Sequence, residues 1–163
     1  MIVRLKNKDT LIVDEFKLKC CIGKKGISKN KHEGDLTTPY GKYMLGKLYW
    51  RQDKVKKPIT KLTCKKIKKN MVWCNDSKST NYNKEIKINK KFKYEKIFRK
   101  DYKYDLLIPI YYNYFKPKKY SGSAIFLHLT KNFKPTLGCI ALKKKDFLIL
   151  LKLINKKTKI KLN

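Results

Sequence analysis

The stretch AIFLHLTKNFKPTLGCIAL, residues 124–142, contains two apolar runs of strand length separated by a loop with Pro135 and Gly138. The first run, 125–129, holds His128 among Ile, Phe and Leu, and the second run, 139–142, opens with Cys139 directly after a glycine. Two neighbouring strands joined by such a loop would bring the imidazole and the thiol within hydrogen-bond reach. The stretch therefore predicts β-structure that holds one histidine and one cysteine close together.

The rest of the chain predicts a mainly β domain. Only one segment, KKKDFLILLKLINKK at 143–157, has apolar residues at helical spacing, and Asp146 suits the positive end of that helix. The 163 residues contain no internal repeat and no change of composition, so we expect a single domain over 1–163 with a C-terminal helix. Further strands are predicted at about 1–6, 10–14, 16–22, 43–50 and 104–114.

The charge of the chain is strongly positive, with 43 Lys and Arg against 12 Asp and Glu and a net charge of +31. Such a field favours anionic partners, including nucleic acid and carboxylate-rich polymers. Only three of the basic residues are Arg, which is the residue preferred for bidentate contacts to bases and phosphates. The lysines are spread along the whole chain, and this favours a general compositional bias over a specific nucleic-acid surface.

The chain has five cysteines, an odd number that leaves at least one free thiol if the others pair within the chain. No CxxC pair is present, so neither a zinc site nor any other metal or cofactor site is predicted. The disulfide state stays open, because it depends on the redox compartment. The five are Cys20, Cys21, Cys64, Cys74 and Cys139.

No stretch approaches the ~20 apolar residues that a transmembrane helix requires. The first residues, MIVRLKNKDTLIVDEF, lack the long apolar segment and small-residue cleavage site of a signal peptide. They are interpreted as strand, and no targeting or transmembrane segment is predicted.

Cys139 and His128 would supply the thiol and the base that cysteine catalysis needs. A free thiol has a pKa of about 8.5 and is mostly protonated at neutral pH, and a neighbouring imidazole can take its proton. Gly138 would let the backbone turn so that amides face an incoming carbonyl oxygen, and Thr136 adds a hydroxyl in the same loop. The alternative is a packed cysteine and a hydrogen-bonded core histidine, since these residue types are often buried. His32, among polar residues, is interpreted as a surface histidine.

Four segments in order resemble the YkuD-type (ErfK/YbiS-related) L,D-transpeptidase catalytic domain, and together they cover about residues 16–154. The resemblance implies a YkuD-like fold of β-sandwich-like mixed sheets with a C-terminal helix. The segments are GKKGISKNKHEGDLTTPYGKY at 23–43, WCNDSKSTNYN at 73–83, FRKDYKYDLLIPIYYN at 98–113 and SGSAIFLHLTKNFKPTLGCIALKKKDFLILLKLI at 121–154.

The resemblance implies roles for individual residues. Cys139 matches the nucleophile and His128 the general base, while Gly138 and Thr136 match the glycine and the Ser/Thr of the nucleophile motif. Leu137 stands in this loop where most members of the family have a second histidine. Ala141 stands where they usually have an arginine, so the chain resembles a divergent branch of the family.

The activity implied by the resemblance is L,D-transpeptidation of peptidoglycan stem peptides through a Cys thioester, without a cofactor. The reaction would cross-link stems or exchange the terminal D-amino acid. Three alternatives stay open: an L,D-carboxypeptidase, another Cys–His acyl-transfer peptidase, and a non-catalytic binding module for an anionic polymer. The resemblance implies a periplasmic or cell-envelope location, whereas the absence of a recognisable signal peptide also fits the cytoplasm. We expect a monomer.

Overall fold

The computed structural model describes residues 1–163 and contains fifteen strands and one helix. The strands are β1 (Ile2–Lys6), β2 (Thr10–Val13), β3 (Phe16–Cys21), β4 (Ile27–Ser28), β5 (Thr38–Pro39), β6 (Gly41–Met44), β7 (Leu48–Trp50), β8 (Cys64–Lys66), β9 (Met71–Cys74), β10 (Glu85–Lys87), β11 (Tyr94–Lys96), β12 (Leu106–Pro109), β13 (Phe126–Leu129), β14 (Ile140–Leu142) and β15 (Lys159–Leu162). The helix is α1 (Lys144–Leu153).

Ten of the strands form one sheet in the order β6-β15-β1-β2-β3-β14-β13-β12-β7-β8. The sheet is mixed, because the pairs β1/β15, β13/β14 and β7/β8 are parallel and the other neighbours are antiparallel. A three-stranded sheet, β10-β9-β11, and the two-stranded pair β4-β5 complete the β-structure. The predicted fold class, mainly β with mixed sheets and a C-terminal helix, is confirmed.

The first and last strands lie side by side in the large sheet. Strand β15 pairs with β1 on one side and with β6 on the other, and Ile160 and Leu162 are fully buried. Its sequence, KIKL, alternates charged and apolar residues over only four positions. The sequence did not predict this strand, because so short an alternation is stabilised by pairing with distant segments rather than by its own propensity.

The strand predicted over 43–50 is divided in two. Strand β6 ends at Met44 and β7 begins at Leu48, with Gly46 between them. A Cβ at Gly46 would lie 2.9 Å from the ring of Tyr111, and the Gly46 amide donates to the Pro109 carbonyl at 2.8 Å. The glycine therefore lets this bend pack against the segment that follows β12.

Helix α1 packs its apolar side on the large sheet. Phe147, Leu150 and Leu151 are fully buried, and Asp146 lies in the first turn, as predicted. The helix is shorter than the predicted 143–157, because the backbone becomes extended at Ile154 and continues towards β15. With ten residues it is too short to cross a membrane.

The two faces of the large sheet belong to different apolar clusters. Successive residues of a strand point to opposite faces, so Leu127 and Leu129 of β13 join a cluster of 26 buried residues. Phe126 of the same strand joins a second cluster of 10 residues, which includes Cys139 and Tyr104. This second, smaller cluster forms one wall of the cavity described next.

Candidate active site

One cavity of about 730 Å³ contains all five site residues that the sequence predicts. It lies beside the ends of β13 and β14, where the loop between them returns to the sheet. The five predicted residues in its lining are His128, Thr136, Leu137, Gly138 and Cys139.

The pairing of β13 with β14 places His128 and Cys139 on the same face of the sheet. The strands are parallel, and His128 lies opposite Ala141 in the register. Because side chains alternate along a strand, Cys139, two residues before Ala141, falls on the face that His128 occupies. The opposite face receives Ile140 and Leu142, which are fully buried.

The Cys139 thiol is buried and hydrogen-bonded to the backbone. Its Sγ accepts from the Phe126 amide at 3.3 Å and donates to the Ala124 carbonyl at 3.3 Å. The pKa of the thiol is raised to about 12, mainly by burial and also by the nearby Glu95 carboxylate, although the Phe126 amide and Lys31 act in the opposite direction. The Cys139 side chain is therefore a protonated thiol at neutral pH.

The His128 ring is held in a defined tautomer. Its Nδ1 lies 3.0 Å from the Leu129 carbonyl oxygen, which can only accept, so Nδ1 carries the proton and Nε2 keeps its lone pair. The pKa of His128 is lowered to about 4, mainly by burial; the hydrogen bond to the Leu129 carbonyl acts to raise it, and the cations Lys103 and Arg99 act to lower it. The imidazole is therefore neutral at pH 7 and able to accept a proton at Nε2.

The thiol and the imidazole share the cavity without a hydrogen bond between them. The thiol proton points to Ala124 instead. Transfer of that proton to His128 requires the S–H to turn away from the carbonyl. The ring itself packs edge-on against Tyr104, with 5.3 Å between the ring centroids.

Thr136 fixes the turn that leads into Cys139. Its hydroxyl donates to the Cys139 carbonyl at 2.5 Å and accepts from the Gly138 amide at 3.1 Å. Gly138 has φ +142°, and a Cβ there would lie 2.8 Å from the Thr37 carbonyl oxygen, so this position requires glycine. The Gly138 amide is used inside the turn, whereas the Cys139 amide donates to no group of the protein. The Cys139 amide is thus the free donor beside the sulfur.

The two departures from the resembled motif have different surroundings. Leu137 is 78% exposed and adds no polar group at the cavity rim. Ala141 is buried beneath the cavity, in the register position opposite His128. Neither residue supplies the hydrogen-bond donors that histidine and arginine would supply.

The cavity is also lined by polar residues that the sequence did not single out, among them Lys31, Glu33, Glu95 and Tyr104. Lys31 is buried, forms an ion pair with Asp35 at 2.7 Å and donates to the Thr37 carbonyl at 2.8 Å. Lys31 and Glu33 lie within the segment at 23–43, and Tyr104 lies within the segment at 98–113. Both segments carry part of the family resemblance, so that resemblance was the available signal. Glu95 lies outside these segments, between a tyrosine and a lysine, with no distinguishing pattern.

The remaining candidate groups lie outside this arrangement. His32 is exposed, and its amide donates to Asp35. All five cysteines are free thiols in the structure. No group of three or more His, Cys, Asp or Glu side chains is placed to hold a metal ion.

Comparison with known proteins gives a match to one family model, YkuD, the L,D-transpeptidase catalytic domain, over residues 2–162. No curated protein matches the chain. Two similar solved structures are crystal structures of the helical cell shape determining protein Pgp2 from Campylobacter jejuni, one unmutated and one a point mutant. They are 18% and 19% identical to this chain with TM-scores of 0.48, and each match covers 98% of this chain. The chain spans 46% and 45% of their lengths, less than half.

Proposed function

Because the chain belongs to the YkuD family of L,D-transpeptidase catalytic domains, we propose that it transfers acyl groups of peptidoglycan stem peptides through a thioester on Cys139. The observation that supports this most is the common cavity of Cys139 and His128, with the free Cys139 amide beside the sulfur. The proposed location is the cell envelope, where such stems occur.

The first half of the proposed reaction forms the acyl-enzyme. The donor stem places the carbonyl carbon after its L-centre against Sγ of Cys139. The S–H turns from the Ala124 carbonyl to Nε2 of His128, which takes the proton as the S–C bond forms. The oxyanion accepts a hydrogen bond from the Cys139 amide. When the C–N bond breaks, the imidazolium returns the proton to the leaving amine, and a free D-amino acid departs.

The second half resolves the thioester. An acceptor amine attacks the carbonyl carbon, Nε2 of His128 takes a proton from it, and the C–S bond breaks. The imidazolium then reprotonates the sulfur, which restores the thiol. An amine of a second stem gives a cross-link, a D-amino acid gives an exchanged stem, and water gives the shortened carboxylic acid.

The resting protonation states decide the timing of proton transfer. With the thiol pKa raised to about 12 and the imidazole pKa lowered to about 4, a thiolate–imidazolium pair is unfavourable in the free protein. The proton must therefore move to His128 as the sulfur attacks, rather than before. These two pKa values favour a Cys139 thiol that stays unreactive until a substrate carbonyl occupies the cavity.

The replacements at Leu137 and Ala141 predict a slow enzyme rather than an inactive one. They remove polar side chains near the nucleophile, while the Cys139 amide is a backbone group and stays. Removal of a single oxyanion donor in other acyl-transfer enzymes costs about 2.7–4 kcal/mol of transition-state stabilisation. The retained amide is therefore expected to support measurable turnover.

The proposal is tested with the purified protein, a disaccharide tetrapeptide and an isotopically labelled D-amino acid. We expect release of unlabelled D-alanine and incorporation of the labelled residue into the stem. Cys139→Ala should abolish both products. Cys64→Ala is the matched control, because Cys64 is only half-buried and lies outside the cavity, and it should retain activity.

Activity that survives in Cys139→Ala would contradict the thioester mechanism. Complete inactivity of a correctly folded wild-type protein on the tetrapeptide would favour the non-catalytic alternative. In that case, steep loss of binding to an anionic polymer with added salt would identify an electrostatic binding module.

A further inference from the structure

Lys31 is the one lysine of the chain that is buried, and its side chain is only 4% exposed. Every other lysine is half-buried or exposed, as expected for a charged side chain in a protein of net charge +31. Burial of an ammonium costs free energy unless partners inside the protein compensate for the lost water. The burial of Lys31 therefore calls for a specific arrangement around it.

The Lys31 ammonium is held in an ion pair that the backbone fixes in place. Its Nζ lies 2.7 Å from Oδ1 of Asp35 and donates to the Thr37 carbonyl at 2.8 Å. The Asp35 carboxylate also accepts from the amides of His32 and Thr37 and from the Thr37 hydroxyl. Burial acts to raise the pKa of Asp35, but the Lys31 ammonium and these donors outweigh it and lower the pKa to about 2. The carboxylate is therefore ionised at neutral pH and gives Lys31 a full counter-charge.

The side chain of Lys31 contacts the segments that lead into β13 and β14. A Cβ at Gly122 would lie 2.9 Å from Cε of Lys31, and a Cβ at Gly138 would lie 3.5 Å from its Nζ. Gly122 comes shortly before β13, and Gly138 comes directly before Cys139. The aliphatic stem therefore fills the space that a larger residue at Gly122 would need, and the ammonium lies beside the backbone of the turn that carries the nucleophile.

The loop that Lys31 holds supports the Gly138 turn directly. The Thr37 carbonyl, which accepts from Lys31, would lie 2.8 Å from a Cβ at Gly138. The next residue, Thr38, is fully buried, and its hydroxyl donates to the Gly138 carbonyl at 2.9 Å. Loss of the Lys31 ammonium would therefore free the Thr37 carbonyl and loosen the turn that carries Cys139.

The charge of Lys31 also acts on the Cys139 sulfur. Burial and the Glu95 carboxylate raise the pKa of the thiol, whereas the Phe126 amide and the Lys31 ammonium lower it. Positive charge at Lys31 therefore favours the ionised form of a thiol that burial and Glu95 keep protonated. The remaining titratable side chains that line the cavity are Glu33, Arg99, Tyr102, Lys103, Tyr104, His128 and Lys134.

We propose that Lys31 is a positioning residue for Cys139, with two effects. It holds the Thr37 carbonyl against the Gly138 turn, and its charge stabilises negative charge on the sulfur. The reaction that Lys31 assists rests on the proposed function, whereas its action on the thiol is a property of the free protein. The two effects are separable, because a neutral donor in place of Lys31 can keep the hydrogen bonds but cannot supply the charge.

Turnover of the disaccharide tetrapeptide tests the first effect. Lys31→Met keeps most of the aliphatic stem and removes the ammonium, and kcat should fall about 10–100-fold, as loss of a hydrogen bond to a charged group allows. KM should change little, because the ammonium binds Asp35 and Thr37 rather than substrate. Lys31→Gln retains an amide with two donors for these partners and should keep more of kcat than Lys31→Met. Lys65→Met is the matched control, since Lys65 pairs with Glu85 at the same 2.7 Å but lies outside the cavity, and it should leave kcat unchanged.

Alkylation with iodoacetate and iodoacetamide tests the second effect without turnover. The two reagents are similar in size and react with the same thiolate, so the ratio of their rates at Cys139 reports the electrostatic potential at the sulfur. Lys31→Met and Lys31→Gln should both lower the iodoacetate-to-iodoacetamide ratio by about three- to tenfold, and Lys65→Met should not change it. Peptide mapping assigns the modification to Cys139. Urea unfolding checks that each variant is folded, and Lys31→Gln decides the test if Lys31→Met is unstable.

An unchanged reagent ratio in folded Lys31→Gln, or an equal decrease in Lys65→Met, would overturn the inference. A rise in KM with unchanged kcat would assign Lys31 to substrate binding and overturn it as well. If the wild type releases no D-alanine, the proposed function fails, and the reagent ratio alone then decides whether Lys31 acts on Cys139. The two failures are thus distinguishable.

Discussion

The two faces of strands β13 and β14 carry different kinds of side chain. One face presents Leu127, Leu129, Ile140 and Leu142 to the large apolar cluster, and three of these four side chains are fully buried. The other face presents His128 and Cys139 to the cavity. Because side chains alternate along a strand, a residue of the apolar core lies directly next to a residue of the candidate site.

The polar face is tolerated because the imidazole and the thiol are both hydrogen-bonded to the backbone. Nδ1 of His128 bonds to Leu129, and the Cys139 sulfur bonds to Phe126 and Ala124. Within these two residues, Nε2 of His128 and the backbone amide of Cys139 have no partner in the protein, and these are the groups that the proposed chemistry uses. The difference between the faces predicts that substitutions on one will change activity and those on the other will change stability.

The largest expected effect is on the polar face. His128→Asn keeps an amide that can donate to the Leu129 carbonyl but removes the base. General-base assistance is typically worth about 10²–10⁴-fold in rate, so D-alanine release should fall by about that factor. His32→Asn is the control, because His32 is exposed, and it should keep near-wild-type activity. Equal losses in both variants would show that the base is elsewhere.

The matching substitution on the apolar face is Leu127→Ala. Leu127 is 0% exposed, and truncating a buried leucine typically costs about 2–5 kcal/mol of stability. Urea unfolding should show a loss of that size. Leu137→Ala removes the same atoms from a side chain that is 78% exposed, and its free energy of unfolding should stay within about 0.5 kcal/mol of wild type. Comparable losses of stability in both variants would contradict the placement of Leu127 in the core and of Leu137 on the surface.

The buried imidazole also makes stability depend on pH. His128 has a pKa of about 4 in the folded protein, against about 6.5 unfolded, so between these values the unfolded chain binds the additional proton. Its contribution is complete above about pH 6.5 and is lost as pH falls towards 4, by up to about 3 kcal/mol. Unfolding free energies at pH 7 and pH 4 should therefore differ by about that much more in the wild type than in His128→Asn. An unchanged pH dependence in the variant would mean that the imidazole is not buried neutral.

The smallest expected effect concerns the turn between the strands. Thr136→Val is nearly isosteric and removes the hydrogen bonds to the Cys139 carbonyl and the Gly138 amide. The looser turn should lower kcat about tenfold, which corresponds to the free energy of one ordinary hydrogen bond. KM should change little. Thr60→Val, outside the cavity, removes the acceptor for the Leu62 amide and should leave kcat unchanged. A reduction of kcat in Thr60→Val of the same size would show that the effect is a general loss of packing.

The sequence predicted the strands whose apolar residues alternate locally. Strands β1, β2 and β3 lie within the predicted ranges 1–6, 10–14 and 16–22, because each buries one face through its own pattern. The helix was predicted from its spacing, although it ends earlier than expected. The division of 43–50 at Gly46 was missed, since it depends on Tyr111, a residue distant in sequence.

The candidate site was predicted in part. The grouping of His128, Thr136 and Cys139 in one cavity agrees with the expectation from strand–loop–strand spacing. The direction of the thiol proton was not predictable, because the Ala124 carbonyl reaches it only through the fold. Glu95 was missed for a similar reason: it lies in β11, in the three-stranded sheet, and enters the cavity only when the two sheets pack.

The most direct measurement of the central claim is the mass of the intact protein during single turnover. Protein in excess is mixed with a disaccharide tetrapeptide and quenched in acid, and the modified peptide is identified after proteolysis. The account predicts an adduct equal to the donor stem minus its terminal D-alanine, attached to Cys139 and absent from Cys139→Ala. D-alanine release from the wild type without this adduct, or an adduct on another cysteine, would contradict it.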